Sequence, residues 1–437
     1  MKLFVPPLEL TSLEGFTDEK DIFKRKDFGE KLTHLIKSTD DEWVLAIDAP
    51  WGEGKTTFIK MWKASLQQDN DMLCVLFDAF EHDYQQDPFL AIAREIYDLI
   101  GDKEVDLKES FKKKSSAAFK TLVRVAIRVG LKASIAGIFD DTVFEGSGAE
   151  DDISSTLDQY VAEQLESVKK DKESLEYFKA FLKELPQQLG KKKLVFIIDE
   201  LDRCRPPFAL EILEKIKHLF SVPNVVFVLS LNREQLEESI RCEYGRSVDA
   251  SQYLQKFINI WAHLPKLEDK YMSDAKQYIC QCLNLMDLDS DRTQYRQDMV
   301  ETLADLADYY HLSLRAIERI LTNLAILKNS RGVLDEPYTK ISVYLAVIKV
   351  HYPSSYKKLS SGELSYKALL EETELNNLRS KQGVHDPQGH FIKWILFYSM
   401  SAHEDIEAFK TRNNFPTPAY YSKVDIPLLC KWMNMFQ

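Results

Sequence analysis

An apolar run at 43–48 (WVLAID) leads into Ala49-Pro50-Trp51-Gly52-Glu53-Gly54 and then Lys55-Thr56-Thr57, at the head of the stretch TFIKMWKASL. No other feature narrows the fold so far. A strand that is apolar along its length is one buried on both faces, as in a parallel sheet covered by helices. Glycines between such a strand and a helix let backbone N–H groups close around phosphate oxygens, and the helix N-terminus adds a favourable dipole. The spacing is that of a P-loop. In that role Gly52, Glu53, Gly54, Lys55, Thr56 and Thr57 form a phosphate cradle. Lys55 reaches the β- and γ-phosphates, and the Thr56 hydroxyl ligates Mg²⁺. Ala49 stands where the pattern expects glycine. Pro50 biases the residue before it towards an extended conformation, which alanine adopts without strain.

Four more β-like runs follow: 73–77 (LCVLF), 194–198 (LVFII), 225–231 (VVFVLSL) and 257–264 (FINIWAHL). Helical patterns separate most of them, which predicts an α/β class, a doubly wound parallel sheet of about five strands. Gly and Pro number only 15 each in 437 residues, well below the averages of roughly 7% and 5%. That excludes collagen-like and low-complexity chains and disfavours a mostly β architecture. More than 110 residues separate the second and third strands, far more than one crossover needs. The expected organisation is therefore four units. Residues 1–102 and 186–265 are the halves of one sheet core, 103–185 is a largely helical insertion, and 266–437 is a helical C-terminal domain containing helices near 299–310 and 314–327.

The third strand ends in Asp199-Glu200. A hydrophobic strand that delivers carboxylates to the sheet's C-terminal edge fits a Walker B motif. Asp199 would hold Mg²⁺, and Glu200 would orient or deprotonate the attacking water. The plain alternative is a pair of surface charges at a strand end. No G-x-S-x-G elbow is present, and no Cys or His sits in a nucleophile setting. His263 reads as an edge residue.

The stretch FIIDELDRCRPPFALEILEKIKHLFSVPNVVFVLSLNREQL resembles the signature of the KAP P-loop NTPases. APWGEGKTTF, FDAFEHDYQQDPF, YLQKFINIWAHLP and LSLRAIERILTNL resemble further segments of that family, over residues 18–330. The resemblance implies an ATPase using ATP and Mg²⁺, with the fourth strand lying between the P-loop and Walker B strands. It places Asn232 as a γ-phosphate sensor, the alternative being a helix cap. It offers Asp202 as an alternative base to Glu200, and Arg203 as a contact to a neighbouring subunit or to a nearby carboxylate. Arg315 and Arg319 would reach phosphate, or else form surface salt bridges. The family's place in conflict systems implies an anti-phage role, acting through a protein partner or a homo-oligomer.

Many members carry membrane spans between the two Walker motifs. Here that place is held by 117–139, apolar but carrying Lys120, Arg124, Arg128 and Lys132. A helix of about 34 Å would be long enough to cross a bilayer. Central Arg124 and Arg128 would cost about 2.5–3.5 kcal/mol each, against about 3–6 kcal/mol returned by all the Leu, Ile, Val and Phe of the segment. The reading is an amphipathic helix without a transmembrane anchor, packed on its own domain or docking on a membrane, acidic partner or nucleic acid. The net charge of −12 hides this block, since 103–139 holds nine Lys or Arg against three acids. An overall acidic balance disfavours a nucleic-acid-coating protein but leaves a nucleic-acid-stimulated ATPase open. Six scattered cysteines, with Cys280 and Cys282 as the one close pair, point to thiols in a cytoplasmic setting rather than to disulfides or zinc. Two function classes remain. One is an Mg²⁺-dependent ATPase driving a conformational or assembly change. The other is a nucleotide switch or scaffold with little turnover.

Overall fold

The computed structural model describes residues 2–7, 15–85, 87–128, 153–267, 273–288, 293–331, 338–377, 387–406 and 423–434. Its centre is a five-stranded sheet built from β1 (Val44–Asp48), β2 (Met72–Asp78), β3 (Lys193–Asp199), β4 (Val225–Leu231) and β5 (Ile260–His263). All pairings are parallel, in the order β2-β3-β4-β1-β5. The P-loop and Walker B strands thus flank β4, the order the family resemblance implies.

The apolar runs are explained by helices on both faces. Along β3, Leu194, Phe196 and Ile198 join one core and Val195 and Ile197 the other. Along β4, Phe227 and Leu229 face the first core, Val226 and Val228 the second. The second core is completed by α1 (Lys26–Ser38) and α2 (Lys55–Gln67), whose Phe58 and Trp62 are fully buried and stacked at 5.9 Å. Burying each such ring contributes on the order of 2–3 kcal/mol. β5 differs from the other strands in that none of its residues is buried, whereas β2, at the opposite edge, keeps most of its residues buried.

The first core is covered by α3 (Pro88–Leu99), α6 (Pro206–Lys215) and the feet of two long helices, α4 (Val105–Arg128) and α5 (Ile153–Gln188). Phe111 and Ala118 of α4 and Phe178, Phe181 and Leu185 of α5 are buried in the same cluster as Phe196 and Phe227. The insertion is therefore helical where described, and its base shares the sheet's core. Phe178 packs edge-on against Phe220 at 5.6 Å. Lys132, residues 129–139 generally and the acidic stretch 147–152 lie outside the described residues.

Beyond the sheet, α7 (Arg233–Tyr244) and α8 (Ala250–Leu254) precede β5. Then α9 (Asp274–Met286), α10 (Thr293–Tyr309), α11 (Leu314–Arg331) and α12 (Tyr338–His351) form a separate apolar core, with α13 (Pro353–Ser360), α14 (Tyr366–Glu372), α15 (Pro387–Met400) and a closing helix at Ile426–Met433. Almost every residue of α12 between Thr339 and Ile348 is buried, which is why its sequence shows no polar face. Cys282 belongs to this core and Cys280 packs at its edge. Burial pushes the Cys282 thiol up to about 12. Among the described residues no helix is long and apolar enough to cross a membrane.

Candidate functional site

β1 ends at Asp48, and the chain then turns over the sheet's C-terminal edge. Gly52 and Gly54 adopt φ of 81° and 80°, conformations only glycine takes without strain. Gly54 is the N-cap of α2 and offers no side-chain cap, so the first-turn N–H groups face the loop's hollow rather than being consumed by a cap. The Lys55 ammonium donates to the carbonyls of Ala49 and, at 3.1 Å, Pro50. Burial depresses its pKa, and the opposing charges of Asp202, Asp199 and Asp48 hold it up.

β3 brings Asp199 to the same edge, 3% exposed, with its Oδ1 accepting the Glu200 N–H at 3.0 Å. Glu200 has φ 60° and ψ 26°, a left-handed conformation rare for a residue with a Cβ. That turn starts a 3₁₀ segment at Leu201–Arg203 and brings Arg203 back onto the Glu200 carboxylate at 2.7 Å. Burial raises the Glu200 pKa, with Arg203 opposing the rise. Asp202 points the other way, into the sheet edge. It accepts the Trp51 indole N–H, and its pKa is raised by burial, with that hydrogen bond and Lys55 opposing the rise.

One cavity of about 510 Å³ joins the P-loop to Glu200 and Arg203, while Glu53, Asp199, Asp202 and Asn232 do not line it. Gly52, Gly54, Lys55, Thr56 and Thr57 line one side, and Glu200 and Arg203 line the other. Arg315 of α11 enters it as well, and Arg319, one turn on, is not among its lining residues. The side chain of Asn232 is engaged as a cap, its Oδ1 accepting the Glu234 N–H at 3.1 Å at the start of α7. Asp48 accepts the first N–H of that helix, from Arg233, at 2.9 Å, and lies 3.4 Å from the exposed ring of His263. His263 is an edge residue, and Asp48 ties β1, α7 and β5 together beneath the loop.

Three participants carry no local sequence signal. Arg25, 2% exposed, sends its guanidinium to the carbonyls of Glu53 at 3.0 Å and Pro265 at 3.1 Å, and lies 3.6 Å from Asp274. It joins the P-loop to the segment after β5 and to the start of α9. The Leu314 N–H donates to the Gly52 carbonyl at 3.1 Å, so α11 is hung directly from the P-loop. Ser230, paired in register with Asp199 on β4, is fully buried and its Oγ has no hydrogen-bond partner among the described residues.

The contact at Gly52 makes a prediction. A Cβ there would sit 3.1 Å from Ser313 Cβ and 3.2 Å from Arg315 Cβ, at a backbone φ of 81°. Gly52→Ala should destabilise the chain by about 1–3 kcal/mol through backbone strain and overpacking. It should also displace Arg315 from the cavity. Denaturant unfolding followed with ATP titration checks this, and an unchanged midpoint would contradict it.

Comparison with known proteins gives three findings. No curated protein matches the chain. A solved structure, that of the Aeropyrum pernix ORC2 protein in ADPNP-ADP complexes, is similar over 94% of each chain at 14% sequence identity and a TM-score of 0.35, too shallow a likeness to support an argument. The model of the KAP family P-loop domain matches residues 25–331, which is more than two-thirds of the 437 residues. That span begins at the buried Arg25, contains both Walker segments and the whole five-stranded sheet, and ends with α11, so the chain belongs to the KAP family of P-loop NTPases.

Proposed function

We propose that this protein binds ATP with Mg²⁺, hydrolyses it, and uses the cycle to drive a conformational or assembly change in a larger complex. The observation that carries the reading is the single cavity in which the P-loop groups, the Glu200–Arg203 pair and Arg315 of the helical domain face one space. Phosphates held at Gly52–Thr57 would draw the Lys55 ammonium off the Ala49 and Pro50 carbonyls, because a charged oxygen is the stronger acceptor.

The donor set suits magnesium. Thr56 and Asp199 supply oxygen only, and among the described residues no three His, Cys, Asp or Glu side chains gather as a metal cluster, as befits an ion that keeps most of its water and arrives with phosphates. When bound, Mg²⁺ neutralises charge that builds on the phosphoryl oxygens. The chain's own contributions are positional. Lys55 and the loop N–H groups hold the phosphates, Glu200 orients the attacking water and takes its proton, and Asp202 fixes Trp51 beside them. Asn232 acts at the γ-phosphate through its remaining amide donors. Arg315 reaches phosphate from α11, with Arg319 behind it at the helix surface.

A second reading, a nucleotide switch with little turnover, is favoured by one contact. Glu200 is paired with Arg203 at 2.7 Å and must be released before it can serve as a base. A partner protein, or a second copy of the chain, would release it. The family's use in conflict systems is the ground for placing that partner in anti-phage defence, and free cysteines throughout suit the cytoplasm. A nucleic-acid-stimulated cycle rests on the basic 112–132 run alone.

Phosphate release from ATP, with and without EDTA, tests the proposal. Hydrolysis on the order of 0.01–1 per second, lost on chelation, is expected. Tight ATP binding with no release in any condition would leave the switch reading standing.

A further inference from the structure

A groove of about 620 Å³ runs between α4 and α5 on the insertion and shares no lining residue with the P-loop cavity. Lys112, Lys113, Lys120 and Thr121 of α4 line it, opposite Lys170 and Ser174 of α5. Glu109 is the one acid in its lining. We propose that this groove binds a soluble anion carrying several linked phosphate groups.

The two helices are a fixed scaffold at this level. Phe111 of α4 packs against Phe178 at 6.1 Å and Phe181 at 5.7 Å, and all three are buried in the core that covers the sheet. The charge on the groove is not offset by the chain. Other lysines of these helices are engaged: Lys108 pairs with Asp102 at 2.6 Å, Lys114 lies over the Phe181 ring at 4.8 Å, and Lys179 pairs with Glu176 at 3.4 Å. Lys112, Lys113 and Lys120 are exposed and form no ion pair with a described residue. Like charges on one helix face repel, and a bound anion removes that repulsion.

The hydroxyls beneath the lysines point to the same ligand. Thr121 is 2% exposed, and the buried Ser174 Oγ has no hydrogen-bond partner among the described residues. A buried hydroxyl left unpaired is destabilising, and an acceptor oxygen brought into the groove satisfies it. Ammonium groups above and hydroxyl donors below suit phosphate oxygens, which accept from both. Lys113 and Lys120 stand two turns apart, about 10 Å along α4. A single phosphate meets one of them, whereas a linked chain of phosphates meets both. Size separates this ligand from larger polyanions. A compact anion reaches Thr121 and Ser174, while a nucleic-acid backbone or a lipid surface would meet only the exposed lysines.

Calorimetric titration of the full chain with sodium tripolyphosphate tests this, in EDTA without Mg²⁺ and on a Lys55→Ala background that weakens the P-loop. One equivalent should bind, at least about tenfold more tightly than inorganic phosphate. Lys113→Gln combined with Lys120→Gln should weaken tripolyphosphate by about tenfold or more. Ser174→Ala should weaken it about 3–10-fold while leaving the free chain's thermal midpoint unchanged or higher, because an unpaired hydroxyl is removed. Unchanged affinity in either variant overturns the proposal, as does an affinity no better than that of inorganic phosphate. Binding seen on wild type and absent on Lys55→Ala assigns tripolyphosphate to the P-loop and overturns it too. So does tighter binding of a single-stranded oligonucleotide or of phosphatidylglycerol vesicles with no loss on Ser174→Ala, which would make the lysines part of a macromolecular surface. Should Ser174→Ala fail to fold, the lysine variant, changed only at exposed positions, decides.

Discussion

Lys55→Ala should abolish phosphate release and weaken ATP binding by about 100-fold, a loss in line with removing a hydrogen bond between charged groups. The expected size follows from where the ammonium sits. Asp202, Asp199 and Asp48 all act on it, and two of these carboxylates, Asp199 and Asp202, are themselves buried. Removing the cation leaves that acidic sheet edge facing a triphosphate, so attraction is replaced by repulsion at the same position. The Ala49 and Pro50 carbonyls also lose their donor, which loosens the loop that must wrap the phosphates. Calorimetric titration of ATP checks the prediction, with thermal unfolding as the control for folding. Binding within threefold of wild type would show that the loop N–H groups suffice and that Lys55 is not a phosphate ligand.

Glu200→Gln should lower turnover by about 10³-fold while ATP affinity stays within about threefold. Glutamine keeps the length and the left-handed start of the 3₁₀ turn but cannot accept the water's proton, and it gives up the ion pair with Arg203. Asp202→Asn should behave differently. Asp202 accepts the Trp51 indole N–H, which an amide oxygen still accepts, and its loss of charge weakens the hold on Lys55. Its expected signature is a rise in KM together with a smaller fall in kcat. If the two variants exchanged these signatures, Asp202 would be the base and Glu200 the positioning residue.

Much of this arrangement was legible because buried parallel strands announce themselves. WVLAID, LCVLF and LVFII became β1 to β3 with no end off by more than one residue, and VVFVLSL became β4 with both ends unchanged. FINIWAHL shrank to Ile260–His263, because only that part pairs, along one edge of β1. The P-loop and Walker B carboxylates were readable from residue type and context, and the cap at Asn232 from its place at a strand-to-helix junction. What the sequence does not show is set by distance along the chain. Arg25 finds its partners 28 and 240 positions away, so no window of residues displays it. The docking of α11 on Gly52 joins positions 262 residues apart through a backbone N–H that any residue but proline would supply. That contact brings Arg315 to the cavity. Arg319, on the same helix face, does not line it, because the shared face tells direction around the helix but not reach along it. Phe111 and Phe178 likewise mark no boundary in sequence, yet they bury the foot of the insertion in the sheet's own core.

Glu200 is the group proposed to turn a nucleotide-binding loop into an ATPase, and a single-turnover experiment probes that role. Wild-type and Glu200→Gln chains, each in excess over ATP with Mg²⁺, are quenched over time and the bound nucleotide identified. Wild type should convert ATP to ADP, and intact, tightly bound ATP should persist on Glu200→Gln. Conversion by the variant at the wild-type rate would contradict it.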